Sequence, residues 1–69
     1  MEERIKELRL RSGNTRISIA TLAGVTDKTL ASAEAGKNVS EVTAYKILAA
    51  LEKVCERKFE LSDLDIKIR

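Results

Sequence analysis

Histidine is absent from the 69 residues of the chain. That removes the commonest general base near neutral pH and the commonest metal ligand. A single cysteine, Cys55, has neither a second thiol to bridge nor a histidine to activate it. It reads as a small buried hydrophobe in a chain made for a reducing cytoplasm. No glycine-rich phosphate loop occurs, and the acidic pair Asp63/Asp65 reads as a solvated end. The expectation is therefore no catalytic residue, no metal, no cofactor and no small-molecule ligand. No apolar run approaches the roughly 18 residues that a membrane span needs, and no signal peptide is visible. Proline is also missing, glycine occurs three times, and aromatic residues make up only 3%. With few breakers and an aliphatic apolar content, the chain is expected to be all-α.

What is present suffices for one small domain. Hydrophobic residues amount to 43%, ample for a single core, though a chain of this size is marginally stable unless well packed or oligomeric. Met1 gives the expectation of a complete chain. Net charge is only +2, but it is unevenly spread. Between residues 4 and 37, Arg4, Lys6, Arg9, Arg11, Arg16, Lys28 and Lys37 outnumber Glu7, Asp27 and Glu34. A nucleic-acid-facing surface would require such an excess, although ordinary surface charge would also produce it.

Residues 15–36 organise the rest. Ile19, Ala20 and Ala23 form a narrow apolar stripe whose small residues let another helix approach closely. Gly24 then suits a positive φ at a helix end, Val25 follows as a buried plug, and Thr26 is a good N-cap for a second segment. In that segment Leu30, Ala33 and Glu34 recur at i, i+3 and i+4, and Gly36 is placed to end it. Two short helices, about 16–23 and 27–35, joined by a glycine-containing turn make the helix-turn-helix pattern. Its usual role is to push the second helix into the major groove of DNA.

The stretch resembles the phage repressor/Cro-type (XRE family) helix-turn-helix proteins. The resemblance is carried by Thr15, Arg16, Ile19, Ala20, Gly24 and Val25, then by Thr26, Thr29, Leu30, Glu34, Gly36 and Lys37. It continues upstream in Ile5, Lys6, Leu8, Arg9 and Gly13, which look like the family's first helix, here about residues 3–12. It continues downstream in Ser40, Thr43, Lys46, Ile47, Ala50 and Leu51, which look like its fourth, about 41–54. Residues 4 to 54 are covered in register. The resemblance implies a compact bundle of four to five short helices around a central helix-turn-helix, the lambda-repressor-like fold.

Three positions depart from the family pattern: Asn14 stands where an apolar residue is usual, which would loosen the joint between the first two helices. Arg16 stands where Gln is common, and Val39 where Pro is common.

Carried over residue by residue, the resemblance makes Asp27, Lys28 and Ser32 base-contacting, with Thr29 and Ala31 as apolar or methyl contacts. Lys28 is suited to guanine O6 and N7, and Asp27 to cytosine N4. Asp27 has a second reading, as an acidic first-turn residue stabilising its helix through the dipole. Arg16, Thr26, Lys37 and Asn38 are implied phosphate contacts, each also serviceable as a cap or loop residue. Arg9 and Glu34 are implied to form a buried structural ion pair between the first and third helices. Ile17 and Leu22 should lie off the buried stripe, covering the core's edges or meeting another chain.

The fourth helix should back the motif with Val42, Ile47, Leu48, Leu51 and Val54 or Cys55, with the Tyr45 hydroxyl outward. Residues 1–55 are thus read as the DNA-binding domain and 56–69 as an extension. In the extension Phe59, Leu61, Leu64, Ile66 and Ile68 alternate as a strand does, while Ser62-Asp63-Leu64 can start a helical turn. A turn near 62–65 followed by an extended end is expected, available as a dimer contact. The functional expectation is a sequence-specific transcriptional repressor, a homodimer on palindromic double-stranded DNA. The alternative is the antitoxin of a toxin–antitoxin pair, holding a protein partner through the tail, Ile17 and Leu22.

Overall fold

The computed structural model describes residues 3–69. Helix α1 spans Ile5–Arg11. It starts two residues later than its periodicity suggests, because Glu3 is taken into an extended parallel bridge with Leu64. Glu3 N donates to the Asp63 carbonyl at 2.7 Å, and Asp65 N donates back to the Glu3 carbonyl at 3.1 Å. Asp65 Oδ1 then accepts from the Ile5 amide at 3.0 Å. Arg4, at the N-cap position, supplies no side-chain cap, so the first turn of α1 is capped by a carboxylate from the far end of the chain. This corrects the reading of Asp65 as a solvated end, while Asp63 stays exposed with its Oδ2 accepting from the Glu60 amide at 3.0 Å.

Helices α2 (Arg16–Ala23), α3 (Asp27–Glu34) and α4 (Glu41–Cys55) each begin at a hydroxyl cap. Thr15, Thr26 and Ser40 accept from the amides of Ser18, Thr29 and Thr43 at 3.1, 3.1 and 3.2 Å. Each pairing satisfies one of the otherwise orphaned first-turn donors. The joint before α2 is polar but not loose. Asn14 Nδ2 donates to Ser12 Oγ at 2.9 Å, and its Oδ1 accepts from Ser18 Oγ at 3.1 Å. The amide side chain thus makes by hydrogen bonding a joint that an apolar residue would make by burial, which corrects the expectation drawn from that departure.

The core gathers one face from each helix: Ile5 and Leu8 from α1, Ile19, Ala20 and Ala23 from α2, Leu30 and Ala33 from α3, and Ala44, Ile47, Leu48, Ala50 and Leu51 from α4. Burying a side chain the size of Ile19 or Leu51 stabilises the fold by about 1.5–3 kcal/mol. The alanines contribute less area and more closeness. Val25 is half-buried against this core rather than enclosed by it. Val42 is corrected outright: it is 65% exposed, because the inward face of α4 runs through Ala44 instead. Ile17, Leu22 and Tyr45 are exposed.

After α4 the chain turns through Glu56, a non-glycine residue at φ 54°. It then runs back under the bundle, burying Phe59 and Leu64 in the same core. Phe59 N donates to Glu52 Oε2 at 2.9 Å, the Arg57 guanidinium lies 4.7 Å over the Phe59 ring centroid, and Arg57 pairs with Glu3 at 3.0 Å. One 3-10 turn, Leu61–Asp63, precedes the bridge to Glu3. The polar link expected before α4 holds a strand, β1 (Asn38–Val39), which pairs in parallel with β2 (Lys67–Ile68) at the end of the chain. Val39 is buried there. No helix among the described residues is long and apolar enough to cross a membrane.

Candidate nucleic-acid interface

The geometry of the α2–α3 joint follows from its small residues. Gly24 sits at φ 76° and closes α2, with its amide reaching the Thr21 carbonyl at 3.2 Å and the Val25 amide reaching that of Ala20 at 3.0 Å. An L-residue with a side chain would be strained there. The chain then re-enters helix at Thr26, whose hydroxyl also lies 2.8 Å from that of Thr29.

Helix α3 is held from behind. Leu30 and Ala33 are in the core, and Glu34 takes two hydrogen bonds from Arg9 on α1, Nε to Oε2 at 2.7 Å and Nη2 to Oε1 at 3.2 Å. Arg9 Nη1 donates to the Asn14 carbonyl at 3.3 Å. The two side chains are 11% and 8% exposed, so this bidentate pair lies among the helices and joins α1, the following loop and α3. The outer edge of α3 is only partly covered. Lys28 and Ala35 are exposed, while Asp27, Thr29, Ala31 and Ser32 are half-buried.

A second bidentate pair spans the turn itself. Arg16 Nε donates to Asp27 Oδ1 at 2.6 Å and Nη2 to Oδ2 at 3.1 Å. Hydrogen bonding to Asp27 raises the Arg16 pKa and keeps its charge secure. Hydrogen bonding from Arg16 holds the Asp27 carboxyl below its ordinary range, with Arg9 adding a smaller pull in the same direction. A phosphate candidate and a base candidate are therefore one unit in the free protein. With both carboxylate oxygens engaged Asp27 stays ionised, and it is the pair as a unit that brings no net charge to a groove. Spacing gave no sign of this, because the partners lie 11 residues apart on different helices.

At the other end of α3 a hollow of about 360 Å³ is lined by Thr29 and Ser32 from α3, Lys37, Asn38 and Val39, Ser40 and Thr43 at the start of α4, and Arg69. Four of the residues singled out in the sequence meet here, Thr29, Ser32, Lys37 and Asn38. Arg16, Thr26, Asp27, Lys28 and Ala31 are not on its walls. Arg69 was missed. The alternation that marked residues 64–68 as extended also placed Lys67 and Arg69 on the opposite parity from the apolar positions, but nothing in the sequence named β1 as their partner. Among the described residues no cluster of metal-ligating side chains occurs.

A protein-family model described as helix-turn-helix matches residues 5–54. No curated protein and no solved structure matches the chain.

Proposed function

The chain belongs to the phage repressor/Cro-type (XRE) helix-turn-helix family of DNA-binding transcription regulators, and on that premise we propose that it is a cytoplasmic repressor working as a homodimer on a palindromic operator. The observation that carries the reading is the two-sidedness of α3. Its inner edge is fixed by Leu30, Ala33 and the Arg9–Glu34 pair, while Lys28 stands exposed on its outer edge with Ala31 and Ser32 half-buried beside it. A helix so held is suited to lie in a major groove about 12 Å wide.

In this reading Lys28, in the first turn, donates to guanine O6 and N7. Ser32 follows one turn on, and Thr29 and Ala31 offer methyl contacts. Asp27 enters as the partner of Arg16, so cytosine N4 must compete with the guanidinium for its oxygens. Arg16, Thr26, Lys37 and Asn38 hold phosphates and set the register. One such domain buries little DNA surface, so useful affinity requires two copies on half-sites about one helical turn apart. Repression is then steric exclusion of polymerase.

The test is selection from a pool of random duplexes at several salt concentrations. Enrichment of a palindrome, with affinity falling steeply as salt rises, is the expected result. Binding to every duplex weaker than roughly 0.1 mM at physiological salt would overturn it.

A second reading, an antitoxin holding a toxin, is favoured by Ile17 and Leu22, which are 66% and 42% exposed. It draws less support from the tail, where Phe59 and Leu64 are consumed by the core and Ile68 is the one large apolar residue left exposed. Co-purification of a second gene product seated on Ile17 and Leu22 would decide for it.

A further inference from the structure

The end of this chain does not hang free. Its strand β2 lies parallel to β1, Lys67 beside Asn38 and Ile68 beside Val39, and the Arg69 amide donates to the Val39 carbonyl at 3.0 Å. Chain ends usually fray. Here the backbone of Arg69 is tied to the loop that follows α3, and its residue forms part of the hollow at the far end of that helix.

The charged side chains of that hollow are of one sign. Its walls carry two charged side chains, Lys37 and Arg69, both positive, and no acidic side chain. Among the described residues neither makes a side-chain hydrogen bond or ion pair, whereas Arg9, Arg16 and Arg57 are all paired with carboxylates. Of the other side chains on its walls, the Thr29 hydroxyl is engaged with that of Thr26 at 2.8 Å and the Ser40 and Thr43 hydroxyls lie 2.9 Å apart. Asn38, Lys37 and Ser32 bring the hollow directly alongside the outer edge of α3.

We propose that Arg69 is a DNA-contacting residue, and that Arg69 and Lys37 hold two neighbouring backbone phosphates at this hollow, one each, when α3 occupies the groove. The inference rests on the DNA-binding reading and adds to it a contact from outside the helix-turn-helix. A guanidinium whose main chain is already fixed loses less freedom on engaging a phosphate than one on a loose tail, and it offers two parallel N–H donors to the phosphate oxygens. Such a contact fixes position without reading sequence.

The test uses the duplex selected above, a fluorescent label on the DNA, and the full chain with Arg69→Ala or Arg69→Lys. Loss of one phosphate contact lowers the log–log salt slope by about 0.9, which corresponds to roughly eightfold weaker binding at 0.1 M salt. Arg69→Ala should show that loss on every duplex alike, leave the enriched sequence unchanged and keep the thermal midpoint. Arg69→Lys should retain the slope. A methylphosphonate placed at the phosphate that Arg69 contacts should weaken the parent chain and have no further effect on Arg69→Ala.

An unchanged slope in Arg69→Ala, with the parent chain still binding, overturns this inference alone. A response of Arg69 to inorganic phosphate without any change in the DNA slope also overturns it, as a site for free phosphate. If the parent chain binds no duplex, the DNA reading fails and this inference fails with it.

Discussion

Glu34→Ala is the most informative single perturbation of the fold. It leaves the Arg9 guanidinium 11% exposed with one protein acceptor, the Asn14 carbonyl at 3.3 Å, in place of three hydrogen bonds. Stranding one member of a buried ion pair typically costs about 3–5 kcal/mol. A chain of this length is stable by roughly 0.05–0.15 kcal/mol per residue, or about 3–10 kcal/mol in all. The substitution therefore removes a third or more of the total, and the thermal midpoint should fall by at least about 12 °C. The assay is urea and thermal denaturation followed by helical circular dichroism, on Glu34→Ala, Arg9→Met, Glu34→Leu, the double variant Arg9→Met/Glu34→Leu and the parent.

Each single variant should be strongly destabilised. The double variant, which removes both charges and keeps the volume, should recover most of the loss or exceed the parent. Raising salt should alter the cycle little, because the pair is shielded from solvent ions. A cost below about 1 kcal/mol for Glu34→Ala, the scale of an exposed pair, would refute the claim that this pair clamps α1 to α3.

The other expectations can be checked one by one. The Asp27 carboxyl should titrate below the ordinary aspartate value of about 3.9, and Arg16→Gln should return it toward that value by carboxyl NMR. Since its folded-state pKa is the lower one, the pair's contribution is fully present above the ordinary value and is lost as pH falls from there through the folded value; a midpoint at or above the ordinary value in the parent would show that the pair is not formed. Lys28→Ala should blur one half-site position, by about 1–3 kcal/mol of base discrimination, whereas Lys37→Ala, at a phosphate, should weaken all sequences alike. Glu56→Gly should raise stability by up to about 1 kcal/mol, because it relieves the left-handed conformation at the end of α4 and gives part of that back as unfolded-chain entropy. A lower urea midpoint in Glu56→Gly would mean that the Glu56 side chain contributes more than its backbone costs.

The helices were legible because their signals are local. Thr15, Thr26 and Ser40 mark their own helix starts, and Gly24 and Gly36 stand just past helix ends, all within one turn of what they govern. Val42 was misjudged because α4 has more apolar residues than one face can bury, and periodicity alone did not choose between a stripe through Val42 and one through Ala44. The β1–β2 ladder and the Asp65 cap were invisible for another reason. Their partners lie far apart in sequence, and a two-residue strand carries no pattern long enough to recognise. At the interface, the residue types around α3 could be read, but their internal engagement could not. Arg16 with Asp27 is a pairing set by the angle between two helices.

The closure of the two chain ends has a consequence for how the molecule opens. Three amides, those of Glu3, Ile5 and Asp65, donate across the same junction, to Asp63, Asp65 and Glu3 in turn. The residues joined by the Ile5–Asp65 bond are 60 apart, so the junction is among the last contacts that a folding chain can close. It can also be released without disturbing the α2–α3 joint. In native-state hydrogen exchange these three amides should therefore behave as one cooperative unit, exchanging together and ahead of the α4 core. Strand β2 follows directly from that junction, so its opening would also free Arg69 from the loop beside α3. The grip of the protein on DNA would then depend on a fluctuation at the opposite end of its first helix.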